Sequence, residues 1–460
     1  MIKPVAAALA AILLAGCAVG PHYVRPAAEL PATLGIAQPG VPAADKWWTL
    51  FQDPVLDRMV EEALAGNRDL AVAAARIEAA RAQLGISRAD QWPDAGVEYT
   101  RSRNRSSAIG GMPLPEGVPL EANSHRLVLR ASWELDFWGK YRRATEAARA
   151  ELAASEAGRD AIRASLVGET IRGYFALRAL DRRLEVVTLT RTGREKSLEL
   201  QKLRFDAGVV SELEYRQVES DLRQAIALVP VIRQQRVAQE NALAMLLGRS
   251  PRAMFEASID RGMPATPSGV EVPAGLPSDV LLRRPDLREA ERRLAAANAR
   301  IGVARADYFP RISLTGFLGG ESQSLGDLFD SQARTWNVAG AVLQPLLTAG
   351  RIRSNVDLAE ARTREAAENY RKAVANAFRE VRNALAAQAN LREALVAQAE
   401  RERALARTAE LSRLRYENGA VSLFEVLETE RQLQAARLEV IDAERDRRNA
   451  IVDLYLALGA

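Results

Sequence analysis

Cysteine occurs once in 460 residues and histidine twice. A single thiol forms no internal disulfide, and two scattered histidines, His22 and His125, supply neither a Cys/His metal cluster nor a catalytic base with a positioned partner. No phosphate-binding glycine loop or nucleophile elbow is present. The sequence therefore assigns no catalytic residue, no metal ligand and no nucleotide site, which argues against an enzyme. Charge of one sign is also missing. Lys and Arg total 63 against 59 Asp and Glu, interspersed along the chain, so no basic surface points to a nucleic-acid partner. Aromatics make up only 5%, while much of the 48% hydrophobic content is alanine. That composition suits long helices packed through small side chains better than a thick globular core. After the N-terminus no run of 18 apolar residues occurs, so no transmembrane helix is predicted.

What is present begins at Lys3, followed by an apolar stretch from Val5 to Leu14 and then Ala15-Gly16-Cys17. A short basic region, about ten apolar residues and small residues before a cut describe a secretory signal over 1–16. "LAGC" resembles the lipobox of bacterial lipoproteins, which makes Cys17, the sole thiol, the lipidated first residue of the mature chain. Ala18 in the next position favours the outer membrane by the same resemblance. Each buried acyl CH2 contributes about 0.8 kcal/mol to such an anchor. The Pro-, Ala- and Gly-rich residues that follow predict an extended tether, taken as 17–53.

The rest of the chain is written twice. "AARAQLGISRADQWP" (Ala79 to Pro93) returns 217 residues later as "AANARIGVARADYFP" (Ala296 to Pro310). Gly139-Lys140-Tyr141-Arg142 returns 211 residues later as Gly350-Arg351-Ile352-Arg353. "LRFDAGVVSELEY" (Leu203 to Tyr215) likewise returns as "LRYENGAVSLFEV" (Leu414 to Val426). The change of offset places six extra residues between Pro93 and Gly139. The two repeats are assigned to 54–271 and 272–460.

Each repeat reads helix, strand region, very long helix, glycine phrase, returning helix. Strands are expected at about 95–136 and 311–347, after Pro93 and Pro310 end their helices. Leu127, Leu129, Ala131, Trp133 and Leu135 alternate with Val128, Arg130, Ser132 and Glu134, Ile312 and Leu314 alternate with Ser313 and Thr315, and Trp336, Val338, Gly340 and Val342 form another such row. Period two with one apolar face marks a strand, giving two hairpins and four strands. Trp133, Trp138 and Trp336 fit either a membrane interface or core packing, and Trp47 and Trp48 read as packing anchors. No proline occurs from Leu120 to Val229 or from Leu346 onward. A helix from Tyr141 to Leu203 would be roughly 95 Å long at 1.5 Å per residue. In the glycine phrase, Gly208 and Gly419 fit the left-handed position that ends a helix. Ser211 with Glu214, and Ser422 with Glu425, fit a capping box that starts the next one. Each phrase therefore predicts a tight helical hairpin.

Four strands cannot close a membrane barrel, and an open edge is not tolerated in lipid. The chain must oligomerise or keep its strands out of the bilayer. At this point "WWTLFQDPVLDRMVEEAL" from Trp47, "RRPD" at Arg283 to Asp286 with the "IGVARADYFP" that follows, and the two glycine phrases together resemble the TolC-like outer-membrane efflux factors, in the lipoprotein branch that serves resistance-nodulation-division pumps. The resemblance spans nearly the whole mature chain. It implies a mainly α fold with a small β part: a homotrimer with a periplasmic α-helical barrel and a shared 12-stranded β-barrel, four strands per chain. It implies a passive exit duct in the outer membrane, extending into the periplasm, with no cofactor beyond the lipid on Cys17. The implied partners are outer-membrane lipid, a periplasmic adaptor protein and an inner-membrane pump. Gly208, Val209, Val210, Gly419, Ala420 and Val421 correspond to the tip that docks the adaptor, although the family often shows a Val-Gly-Leu-like order there. Glu425 and Glu428 match the family's acidic pair at the pore constriction, where aspartates are common. A periplasmic coiled-coil scaffold without a pore, and a duct for type I secretion, are the alternatives. Pro285 and Asp286 are explained by a helix start alone.

Overall fold

The computed structural model describes residues 18–27, 46–107, 109, 119–256, 258–261 and 278–459. The secretory signal, Cys17 and the repeat boundary at 271/272 lie outside them. The chain divides into two compact units, one of residues 1–27, 76–156 and 289–370, the other of residues 28–75, 157–288 and 371–460.

The duplication is carried by the elements themselves. α1 (Pro54–Gly66) precedes α2 (Arg68–Ala89), β1 (Asp94–Arg105), β2 (Glu121–Leu135), α3 (Lys140–Asp206), α4 (Glu212–Leu246) and the short α5 (Pro251–Glu256). Then α6 (Pro285–Ala306), β3 (Arg311–Ser322), β4 (Arg334–Leu343), α7 (Arg351–Glu417) and α8 (Leu423–Ala457) repeat the order. α6 and β3 copy α2 and β1 at an offset of 217, and α7 and α8 copy α3 and α4 at 211, residue for residue. The six extra residues thus fall between the end of β1 and the start of α3. Pro93 and Pro310 stand one residue before β1 and β3, where the preceding helix has ended.

In the first unit the strands form one antiparallel sheet in the order β1-β2-β3-β4. Its register puts Val97, Leu129, Leu318 and Trp336 in one cross-strand row, and Trp133, Leu314 and Gly340 in another. Residues opposite one another point to the same side, so these rows make one continuous apolar face. The alternate residues, including Glu98, Arg126, Arg130, Ser132, Ser313, Thr315 and Asn337, make the other face polar. Cross-strand ion pairs run over it, Arg130 with Glu98 at 3.5 Å and Arg126 with Glu321 at 3.9 Å. Trp138 stacks on Phe309 at 4.6 Å and donates to the Pro310 carbonyl at 2.8 Å, which makes it a packing residue. Trp133 is half-buried and donates to the Gln91 carbonyl at 3.0 Å. Trp336 instead is 70% exposed on the apolar face.

Residues 18–27, the described start of the expected tether, whose residues 28–45 lie outside the described ones, are extended but not free. Arg143 donates to the carbonyls of Val19 and Gly20, Asn298 donates to that of Pro21, and Arg25 forms a bidentate pair with Glu291 at 2.6 and 2.7 Å. Gly302 makes room: a Cβ there would lie 2.6 Å from the Val19 carbonyl oxygen. The expected end of the tether at 53 is too late. Trp47–Phe51 is a 3-10 turn, and both Trp47 and Trp48 are only 2% exposed.

Those tryptophans open the core of the second unit. They join Leu56, Val60, Ile171, Tyr174, Phe175, Leu243, Ile451 and Val452, with the Trp47 ring stacked 5.0 Å from Tyr455. Asp53 ties the turn to this core, because one carboxylate oxygen caps α1 at Val55 and Leu56 while the other accepts from the Tyr174 hydroxyl at 2.6 Å. Burial and then Asp53 push the Tyr174 phenol well above its usual range, so it remains a donor. Helix ends meet helix starts here in both repeats. The Asn67 amide donates to the Leu246 carbonyl at 2.9 Å, joining α4 to α2. At the equivalent position Arg284 donates to the Ala457 carbonyl at 2.9 Å, joining α8 to α6, and also holds Asp286 and Glu380. Pro285 and Asp286 sit at the helix start as expected.

Candidate functional site

The two glycine phrases form the paired hairpin turns of the second unit. Gly208 and Gly419 have φ of 70° and 72°. The next amide reaches back to close the helix in each copy: Val209 to the Arg204 carbonyl, and Ala420 to the Arg415 carbonyl, both 2.8 Å. Gly208 to Phe205 and Gly419 to Tyr416 complete the Schellman pattern at 2.9 Å. Val209 is 72% exposed, Gly208, Gly419 and Ala420 are exposed, and Val210 and Val421 are half-buried. All six expected tip residues therefore lie on the two turns. The sequence reading missed Leu213 and Phe424, which are 67% and 58% exposed one step into α4 and α8. They are 211 residues apart, so an apolar residue kept just inside both caps was the available signal.

The hairpins are packed side by side by Val218, Leu423 and Leu427, with Leu198 and Tyr416 against them. Above this small core lies a buried polar cluster. Arg194 contacts Asp221 at 2.7 Å and donates to the Asp221 carbonyl and the Gln434 side chain, both at 3.0 Å. Burial pushes the Arg194 guanidinium down and the Asp221 carboxyl up, the direction expected when a pair is withdrawn from water. A groove of about 570 Å3 beside it is lined by Gly193, Lys196, Ala406, Arg413, Glu430 and Arg437, among others.

The two proposed constriction residues have different surroundings from those expected. The first capping box forms, with Ser211 Oγ accepting from the Glu214 amide at 3.3 Å and the Ser211 amide donating to Glu214 at 2.9 Å. The second does not. Ser422 has the same backbone conformation but makes no side-chain cap, and Glu425 instead faces Arg415 at 3.5 Å. The two turns differ nearby in one hydroxyl. Arg204, the counterpart of Arg415, reaches the Tyr416 hydroxyl at 3.5 Å, and Gln201 donates to the same oxygen at 3.1 Å. The counterpart of Tyr416 is Phe205, which has no acceptor, and Arg415 faces the Glu425 carboxylate. Glu428 is half-buried and pairs within its own helix, with Arg431 at 2.6 Å and Gln432 at 3.0 Å. Each carboxylate thus has a guanidinium beside it, which reduces the field either could exert.

Among the described residues no group of three or more His, Cys, Asp or Glu could hold a metal ion, and no helix is long and apolar enough to cross a membrane. The sheet is the element with a lipid-compatible face.

Known proteins match this architecture over almost its full length. The solvent efflux pump outer membrane protein SrpC of Pseudomonas putida is 34% identical, covering 98% of this chain and 96% of the relative. The cation efflux system protein CusC of Escherichia coli K12 is 35% identical, covering 98% and 97%. The crystal structure of the Campylobacter jejuni CmeC outer membrane channel superposes with a TM-score of 0.91 at 28% identity, covering 96% and 95%. The family described as "Outer membrane efflux protein" matches residues 59–249 and 276–460. Long paired helices, a four-stranded sheet with one apolar face and a match across both repeats lead to one conclusion: the chain belongs to the outer membrane efflux protein family.

Proposed function

We propose that the protein is the passive outer-membrane duct of a tripartite efflux system. In this reading three copies pair β4 of one with β1 of the next, and twelve strands close a barrel. The observation that carries it is the sheet. One face is apolar over the belt from Ile312 to Trp336, the other is mainly polar with cross-strand ion pairs, and β1 and β4 each leave an edge unpaired among the described residues. Such a sheet is stable in lipid only when closed. The polar face then lines the lumen, the turns at Gly208 and Gly419 dock the adaptor, and Cys17 carries the lipid. Leu213 and Phe424 extend the docking surface, since exposed apolar pairs of this kind suit a helical-hairpin partner. Energy comes from the pump, because no nucleotide or catalytic site is found in the sequence. The relatives' names speak of solvents and cations, and in this reading the pump selects the cargo.

Reconstitution into planar bilayers tests the duct. A cation-selective conductance that rises in Glu428→Ala is the expected result, and unchanged conductance and selectivity would remove Glu428 from the constriction. Protease-resistant trimers in outer-membrane fractions support the barrel. Complete release of the protein by Cys17→Ser would instead support a lipid-anchored scaffold.

A further inference from the structure

The apolar face of the sheet has two unlike ends. Where the strands join the helices, it carries Ala95, Leu135, Ile312 and Val342. Toward the hairpin loops the same face passes Trp336, then Tyr99 level with Arg334, and then Arg101, Arg103 and Arg105 on alternate positions of β1. From Ile312 to Gly320 the apolar belt spans about 26 Å of strand at roughly 3.3 Å per residue. That is close to the ~25 Å band of membrane barrels, with the aromatics where interfacial girdles occur. The arginines begin where the belt stops. They are exposed, and among the described residues their one acidic ion-pair partner is Glu121, which Arg103 meets at 2.5 Å and Arg105 at 3.6 Å. Arg101 and Arg334 have no ion-pair partner among the described residues. Among the described residues, four guanidinium groups against one carboxylate leave a net positive fringe on a face that otherwise meets lipid.

We propose that this fringe binds the phosphate groups of lipid headgroups in the outer leaflet, with Arg334 of one copy completing the arginine row on β1 of the next. The proposal rests on the barrel reading, because only closure of β4 onto a neighbouring β1 brings Arg334 beside that row. The occupant follows from charge and position. Guanidinium binds phosphate bidentately, and the site is continuous with the lipid-facing belt, at headgroup height on the loop side. Its function would be to fix the barrel's depth and to seal the joint between copies with bridging lipid.

Native mass spectrometry of the purified trimer, titrated with lipid A and separately with its dephosphorylated form, tests this. The wild type should retain lipid A and not the dephosphorylated glycolipid. The double variant Arg101→Gln, Arg334→Gln should bind lipid A at least about fivefold more weakly, given the contribution of each basic residue near an anionic surface. Glu121→Gln, which removes the competing carboxylate, should bind it more tightly. Equal retention of both glycolipids, or unchanged binding in the double variant, would overturn the fringe. Planar-bilayer conductance separates the two readings. Unchanged lipid A binding in a double variant that still conducts defeats the fringe and leaves the duct standing. A wild type that neither inserts nor conducts defeats both.

Discussion

The two hairpin turns share their backbone and differ in what their side chains do. Ser211 and Ser422 have φ of −77° and ψ of 158° and 157°, and both turns close through the same pair of amide bonds. Yet Glu214 is held in a capping box, while Glu425 is drawn to Arg415. The two turns also differ beside Arg415 and its counterpart Arg204, where Tyr416 stands in place of Phe205 in the other repeat. Duplication copied the turn, and its two carboxylates then took different partners.

The largest break in the symmetry is the buried pair of Arg194 and Asp221, whose counterparts are the half-buried Leu405 and the exposed Gln432. Arg194→Ala leaves a buried carboxylate uncompensated and should cost about 3–5 kcal/mol in guanidinium unfolding. Gln432→Ala should stay within about 0.5 kcal/mol. Equal losses would mean that the pair is solvated. Gly208→Ala and Gly419→Ala should instead match each other. Nothing lies within 4 Å of an added Cβ at either site, so both changes carry only the left-handed backbone penalty, about 1–2 kcal/mol. A large difference would show that one turn is braced by contacts the other lacks.

Next in size is the cap. Ser211→Ala should lose about 1 kcal/mol and Ser422→Ala well under half of that, since only the first serine accepts an amide bond. The smallest effect belongs to the ion pair itself. A double-mutant cycle on Arg415 and Glu425 should give a coupling of roughly 0.2–1 kcal/mol, as for exposed pairs. The same cycle on Arg204 and Glu214 should give none, until Tyr416→Phe removes the hydroxyl and frees Arg204.

This division marks how much the sequence could disclose. Glycine stops, serine starts and prolines before strands act within a few residues, so the repeat order, the hairpins and the four strands were legible, as was the apolar face of the sheet. The partner of Glu425 was not, because the equivalent arginine of the other repeat, Arg204, reaches the Tyr416 hydroxyl rather than a carboxylate. The same holds for Arg284. In "RRPD" the proline and aspartate explain the helix start, but the arginine that joins α8 to α6 acts on the Ala457 carbonyl, 173 residues away. Trp47 and Trp48 were readable as anchors, while the limit they set on the tether required the core they enter. The strap at 18–27 was read as extended from its composition. Its seating on Gly302 was hidden, because Gly85 in the other repeat has nothing within 4 Å.

The most direct measurement is single-channel conductance of Glu425→Ala beside Glu214→Ala in planar bilayers. If the second copy holds the constriction and the first only caps its helix, Glu425→Ala changes conductance and cation selectivity while Glu214→Ala leaves both at wild-type values. Equal changes in the two variants, or a change in Glu214→Ala alone, would contradict that division of roles.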